Sequence, residues 1–113
     1  MAEIETREFT PAQKAVLERL LKAGFRFVTF ERYARYLAVE KEGFVALLAL
    51  EEGGFEVFGQ VGYRIGEGIG MLVERRERKA FVWKEELVPA SQELLDAYAR
   101  FKSALEALLS VIA

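Results

Sequence analysis

Hydrophobic and polar residues alternate along most of the middle of the chain, and a period of two is typical of β-strands with one buried face. Segments rich in glycine or charge separate these runs, as expected for the turns of an antiparallel meander. The predicted strands are 25–30, 34–40, 44–52, 55–65, 69–75 and 80–86.

The stretch from Phe44 to Ile65 organises this prediction, because two apolar runs flank the pair Gly53-Gly54. A Gly-Gly pair accepts the positive φ angles that a two-residue type I′ hairpin turn requires. Such a turn fixes which residues of the two strands lie opposite each other. The predicted pairs are Glu52–Phe55, Leu50–Val57, Leu48–Gly59, Ala46–Val61 and Phe44–Tyr63.

A helix is predicted near each end of the chain. Thr10 suits the N-cap of the first helix, Pro11 suits its first turn, and Gly24 suits its C-terminal stop. The second helix runs from about Gln92 to Val111, and its apolar residues recur at spacings of three and four, which indicates one buried face. These residues are Leu94, Tyr98, Phe101, Leu105, Leu108 and Ile112.

The order of elements predicts an α+β fold. It has an N-terminal helix, an antiparallel meander of about six strands and a long C-terminal helix, with both helices on one sheet face. The 113 residues suit a single domain spanning 1–113. The polar segment 1–9 is expected to be frayed.

The second sheet face carries the predicted interface. Two helices side by side cover one face of the sheet, whereas the central strand is apolar on both of its faces. An uncovered apolar patch usually marks an interface, so we expect a homodimer with its sheets face to face. The alternative is a sheet curled so tightly that one chain satisfies both faces. The predicted interface residues are Val45, Leu47, Ala49 and Phe58.

Composition narrows the function classes. There is no cysteine and no histidine, which excludes Ser-His and Cys-His nucleophiles and thiolate metal sites, and no cofactor or metal is expected. The 16 basic and 18 acidic residues nearly balance, which argues against nucleic acid as a partner. The start of the chain lacks the apolar core of a signal peptide, and no apolar run approaches the roughly 20 residues of a membrane span. We therefore expect a cytoplasmic protein, with the abundant Glu and Arg that thermophiles use.

Two groups of residues suggest binding. The basic segment 75–79 is either a solvated hairpin tip or a site for an anionic partner. Arginine beside aromatic residues also predicts a pocket for a small anionic or aromatic molecule, although the same residue types are common in protein interfaces. The residues predicted to line this pocket are Arg35, Tyr36, Gln60, Arg64 and Trp83.

Three functions follow from these patterns. The first is a non-enzymatic interaction module that forms a homodimer. The second is a small-ligand-binding protein with an apolar pocket between the curved sheet and the C-terminal helix. The third is an acid–base enzyme that uses Glu, Tyr and Arg, with Glu31, Glu56 and Tyr63 as nominal candidates, but no pair of residues identifies a catalytic site.

Overall fold

The computed structural model describes residues 9–51 and 54–109. Its described part contains two helices and a seven-stranded antiparallel sheet whose strands lie in chain order. The elements are α1 (Pro11–Lys22), β1 (Arg26–Val28), β2 (Leu37–Lys41), β3 (Phe44–Glu51), β4 (Gly54–Ile65), β5 (Gly68–Arg75), β6 (Arg78–Trp83), β7 (Glu86–Pro89) and α2 (Gln92–Leu109).

The predicted α+β order is confirmed, and the structure has one strand more than expected. The last predicted strand is divided by a turn, and the additional strand β7 pairs with β6. The predicted strand 34–40 begins only at Leu37, because a short 3-10 helix, Glu31–Tyr33, and a turn precede it. Of the segment predicted to be frayed, residues 1–8 lie outside the described part.

The first helix begins where the capping pattern predicts. The side-chain oxygen of Thr10 accepts a hydrogen bond from the backbone N–H of Gln13 at 3.1 Å, and the side chain of Gln13 accepts one from the backbone N–H of Thr10 at 2.9 Å. This reciprocal capping box satisfies two backbone donors that a helix start leaves without partners.

The central hairpin keeps the predicted faces but not the whole predicted register. Phe44 lies opposite Tyr63, as expected. Nearer the turn the pairing is shifted by two residues, so that Leu50 faces Phe55. A bulge in β4, where Gly59 has a φ of +73°, takes up the additional residues. Because the shift is even, each side chain stays on its predicted face.

The shift also moves the turn. Gly54 belongs to β4 and pairs with Glu51, so the predicted turn at Gly53-Gly54 is wrong for Gly54. Glu52 and Gly53 lie outside the described residues. An alternating pattern restricts a hairpin register only to even steps, and this explains why the hydrophobic pattern did not exclude the error.

Two glycines of β5 make room for side chains of the neighbouring strands. The indole ring of Trp83 lies where a β-carbon on Gly68 would stand, only 1.9 Å from the nearest ring atom. A β-carbon on Gly70 would similarly lie 2.5 Å from the side chain of Ile65. β4 and β5 pair only from Tyr63–Ile65 to Gly68–Gly70, and beyond these residues β5 pairs with β6 alone. The two strands therefore diverge.

Both helices pack on one face of the sheet, the inner face. Val16 and Leu20 of α1 and Phe101 and Leu105 of α2 belong to the same buried cluster as the inward-facing side chains of the sheet. Phe44 lies near its centre, with ring centroids 5.9 Å from Phe81 and 5.9 Å from Phe101. Aromatic side chains thus supply much of the contact between the layers.

The opposite, outer face of the sheet is partly covered by the chain itself. The segment between β1 and β2 folds over it and inserts Phe30, which is 4% exposed. Val45 and Leu47 lie in the same cluster and are 0% and 7% exposed. Val45 and Leu47 therefore do not lie on an uncovered face as expected, because a loop of the same chain buries them.

Candidate interaction surface

The outer side of the last three strands is an apolar surface that nothing in the described part of the chain covers. Strand alternation puts Phe81 and Trp83 of β6 on the inner face and Ala80 and Val82 on the outer face. The cross-strand pairs are Val73–Ala80, Ala80–Pro89 and Val82–Leu87. We call the surface formed by Val73, Ala80, Val82, Leu87 and Pro89 the β5–β7 face.

The β5–β7 face is concave and open to solvent. Its residues line a cleft with a volume of about 550 Å³. Leu87 is 59% exposed, the largest exposure among the large hydrophobic side chains of the described residues, and its cross-strand partner Val82 is half-buried. Met71, opposite Val82 in β5, packs against the outer cluster that also contacts Tyr36. The apolar surface thus continues from β7 toward the centre of the sheet.

Charged residues lie at both ends of the β5–β7 face. Arg75 and Arg78 are direct cross-strand partners at the hairpin between β5 and β6. Glu85 and Glu86 lie at the hairpin between β6 and β7, and all four residues line the same cleft. Lys79 and Lys84 also line the cleft, one at each end, so the first end is strongly basic and the second carries a net negative charge from its two glutamates and one lysine.

A buried carboxylate joins three strands elsewhere on the outer face. One oxygen of Glu40, Oε1, accepts hydrogen bonds from Arg26 at 2.9 Å and from Arg64 at 3.0 Å. The side chain of Glu40 is 10% exposed, whereas those of the two arginines are 69% and 38% exposed. The guanidinium of Arg64 also lies 5.4 Å from the centre of the Phe30 ring. These contacts hold the covering loop onto the sheet.

The residues predicted to line one ligand pocket lie in three separate places. Arg64 and Trp83 line a cleft of about 400 Å³ beside the loop that begins at Thr29. Arg35 and Tyr36 border a shallow groove on the outer face. Gln60 lines a different groove on the inner face. The prediction grouped these residues by type on one sheet, whereas the structure places them in three separate clefts.

Two of the predicted interface residues remain accessible. Phe58 is 48% exposed and stacks on Tyr36, with ring centroids 4.3 Å apart and an angle of 16° between the rings. Ala49 is half-buried. The accessible part of the predicted interface is thus an aromatic pair beside the covering loop.

The inner groove lies where β4 and β5 diverge beneath α2. Its volume is about 560 Å³, and Val57, Val61 and Leu72 form its sheet side. The hydroxyl of Tyr98 donates a hydrogen bond to the carbonyl oxygen of Val61 at 3.2 Å. Burial raises the pKa of the Tyr98 phenol. Leu105 of α2 completes the apolar lining.

The acid–base candidates do not meet in one site. Glu56 lies near Glu51, and a hydrogen bond and like-charge repulsion between the two carboxyls raise the pKa of Glu51. Both residues are exposed. Tyr63 instead packs edge-on against Phe44, with centroids 5.1 Å apart, and Glu31 is an exposed residue of the 3-10 helix.

Residues 9–51 and 54–109 hold neither a metal-binding cluster nor a membrane-spanning helix. No group of three acidic, histidine or cysteine side chains in these ranges is placed to hold a metal ion. Neither described helix combines the length and apolar character needed to cross a membrane.

Sequence reasoning missed the β5–β7 face because it ended the sheet at residue 86. A signal was present, since Leu87 and Pro89 alternate with Glu86 and Val88 directly after a tight turn that has Lys84 at a φ of +55°. Comparisons of the chain with protein families, with curated proteins and with solved structures found no match.

Proposed function

We propose that this chain is a non-enzymatic interaction module that works as a homodimer. The observation that carries the proposal is the β5–β7 face, where Leu87 is 59% exposed within a continuous apolar surface. Large contiguous apolar patches are uncommon on the surface of a monomer, and association removes them from water. Two sheets packed face to face are a common way to bury such a surface.

The surroundings of the buried carboxylate of Glu40 favour a structural role over catalysis. The carboxylate of Glu40 is held between Arg26 and Arg64, which keep it in a fixed ion pair. A general base must instead face a substrate and be free to accept its proton. Because the chain has no cysteine, it also suits a reducing compartment, and we propose a cytoplasmic location.

Two exposed leucines allow a matched test of the proposal. Leu87→Glu introduces a charge into the β5–β7 face, and Leu21→Glu makes the same change on α1, where the leucine is 54% exposed. Light scattering after size-exclusion chromatography should give a dimer for the parent and for Leu21→Glu, but a monomer for Leu87→Glu. A dimeric Leu87→Glu variant would contradict the proposed interface.

Leu47→Glu distinguishes this interface from the one expected at the centre of the sheet. Leu47 is 7% exposed, so a charge there would be buried without a partner. We expect a loss of roughly 3–5 kcal/mol in the free energy of unfolding, as for an uncompensated buried charge. A folded but monomeric Leu47→Glu variant would instead place the interface at the centre of the sheet.

A second candidate function is the binding of a small apolar ligand in the inner groove. The supporting observation is the opening of about 560 Å³ between α2 and the diverging strands, with Val57, Val61 and Leu72 on one side. Native mass spectrometry of freshly purified protein should then detect a bound molecule of constant mass. Leu72→Trp should fill the groove and remove that molecule. A parent chain that carries no additional mass would contradict this candidate.

A further inference from the structure

We infer that the two copies pack antiparallel across the β5–β7 face, with the basic end of each copy against the acidic end of the other. This arrangement rests on the proposed homodimer and specifies its two-fold axis.

Two arginines at the basic end form no ion pair with the described residues, although Glu74 and Glu77 flank them in the sequence. Arg75 and Arg78 lie directly opposite each other on neighbouring strands, and both are exposed. Like charges at such positions are destabilising, because the two β-carbons are only about 4.5–5.5 Å apart. Neither guanidinium has an ion-pair partner among residues 9–51 and 54–109. A carboxylate from outside the chain would relieve this repulsion.

The acidic end supplies suitable carboxylates. Both Glu85 and Glu86 are exposed and line the same cleft as the two arginines. Glu86 is the cross-strand partner of the inner-facing Trp83, whereas Glu85 lies in the turn, so Glu85 is the better placed of the two to reach a second copy. The ammonium group of the adjacent Lys84 lies 4.8 Å from the centre of the Trp83 ring, so it is engaged by an aromatic face. The six residues of β6 separate the two charged ends by roughly 20 Å.

Sheet geometry leaves two simple choices for a two-fold axis that lies between two facing sheets. An axis parallel to the strands would place Arg75 near Arg75 of the second copy, which is repulsive. An axis across the strands reverses one copy and places its acidic hairpin over the arginines of the other. Facing sheets are about 10 Å apart, a distance that arginine and glutamate side chains can bridge together. The charges therefore favour the antiparallel arrangement, in which the two-fold symmetry forms the contact between a basic end and an acidic end twice.

Charge reversal tests the arrangement. Arg75→Glu with Arg78→Glu makes both ends of the face acidic, and Glu85→Lys with Glu86→Lys makes both ends basic. All four positions are exposed, so melting curves should show that both variants fold. Each variant alone should dissociate at least about tenfold more readily than the parent, because every contact between ends becomes repulsive.

An equal mixture of the two variants should restore association. In the mixed dimer each acidic end meets a basic end, so native mass spectrometry should detect the heterodimer in preference to either homodimer. A dimeric parent whose two variants associate as tightly as the parent, or whose variants do not combine, would overturn the antiparallel arrangement while leaving the proposed homodimer in place. A monomeric parent would contradict the proposed homodimer itself.

Discussion

The side-chain amide of Gln13 fastens the first helix to the sheet, because its Nε2 donates a hydrogen bond to the carbonyl oxygen of Glu51. The oxygen of the same amide accepts a hydrogen bond from the backbone N–H of Thr10 at 2.9 Å. Gln13 is only 4% exposed, so both ends of its amide are used within the protein. One residue therefore caps α1 and sets its position on β3.

Gln13→Glu should separate these two roles. A carboxylate can still accept from Thr10, but it cannot donate to Glu51, and two acceptors would face each other in a buried position. We expect chemical denaturation at pH 7 to show a loss of about 1–3 kcal/mol in the free energy of unfolding. The loss should shrink in acid, where the new carboxyl is protonated and can donate again.

The same change at an exposed site provides the control for Gln13→Glu. Gln60 is exposed, and Gln60→Glu should alter stability by no more than about 0.5 kcal/mol. If the two variants were equally stable at pH 7, the hydrogen bond to Glu51 would not contribute to holding α1.

Gly68→Ala should disturb the packing of the Trp83 ring against β5. The added methyl group would lie 1.9 Å from the ring of Trp83, so the ring must move. We expect a loss of about 1–3 kcal/mol, the usual cost of overpacking, and a red shift in fluorescence from this single tryptophan. Gly59→Ala is the control, because its methyl group would meet nothing within 4 Å although its φ of +73° is strained. It should lower stability without changing the emission, whereas an unchanged emission in Gly68→Ala would contradict the packing described.

The pair of carboxyls at Glu51 and Glu56 should make stability depend on pH. The pKa of Glu51 is raised in the folded chain above its ordinary value of 4.5, so the folded state holds that proton more tightly than the unfolded state. Its stabilising contribution is therefore complete below pH 4.5 and is lost as the pH rises through the raised value.

Removing one of these carboxyls tests the sign. Glu51→Gln should raise the melting temperature at pH 7 by at most about 3 °C and should have a smaller effect at pH 3. Glu56→Gln should act in the same way, and the double variant should add little, since either change removes the repulsion. A larger gain at pH 3 than at pH 7 would show that the two carboxyls do not interact as described.

Local patterns were sufficient to predict the helices and the faces of the strands. The capping box at Thr10 and the spacing of apolar residues in α2 act within a few residues, so they can be recognised in the sequence alone. The predicted hairpin register is correct at Phe44 and wrong near the turn. The bulge in β4 takes up the residues by which the turn is displaced, so the alternation of apolar and polar residues is the same in both registers. Nothing within the hairpin itself indicates where β4 takes up additional residues, apart from Gly59.

Burial by distant parts of the chain could not be predicted in the same way. Phe30 covers Val45 only because the loop before β2 folds back over the sheet, and this contact joins residues well apart in sequence. The residues predicted to line one pocket with Arg64 lie in separate clefts for the same reason. The β5–β7 face depends on β7, a strand of four residues that follows a turn which the prediction had included in the preceding strand.

Sedimentation equilibrium of the unmodified chain measures the self-association that the β5–β7 face is proposed to cause. The chain has a mass of 12.8 kDa. At micromolar concentrations the proposed homodimer should give a fitted mass of twice this value, and the fitted mass should fall toward that of one chain as the protein is diluted. A mass of 12.8 kDa throughout that range would contradict the homodimer and the function proposed for this surface.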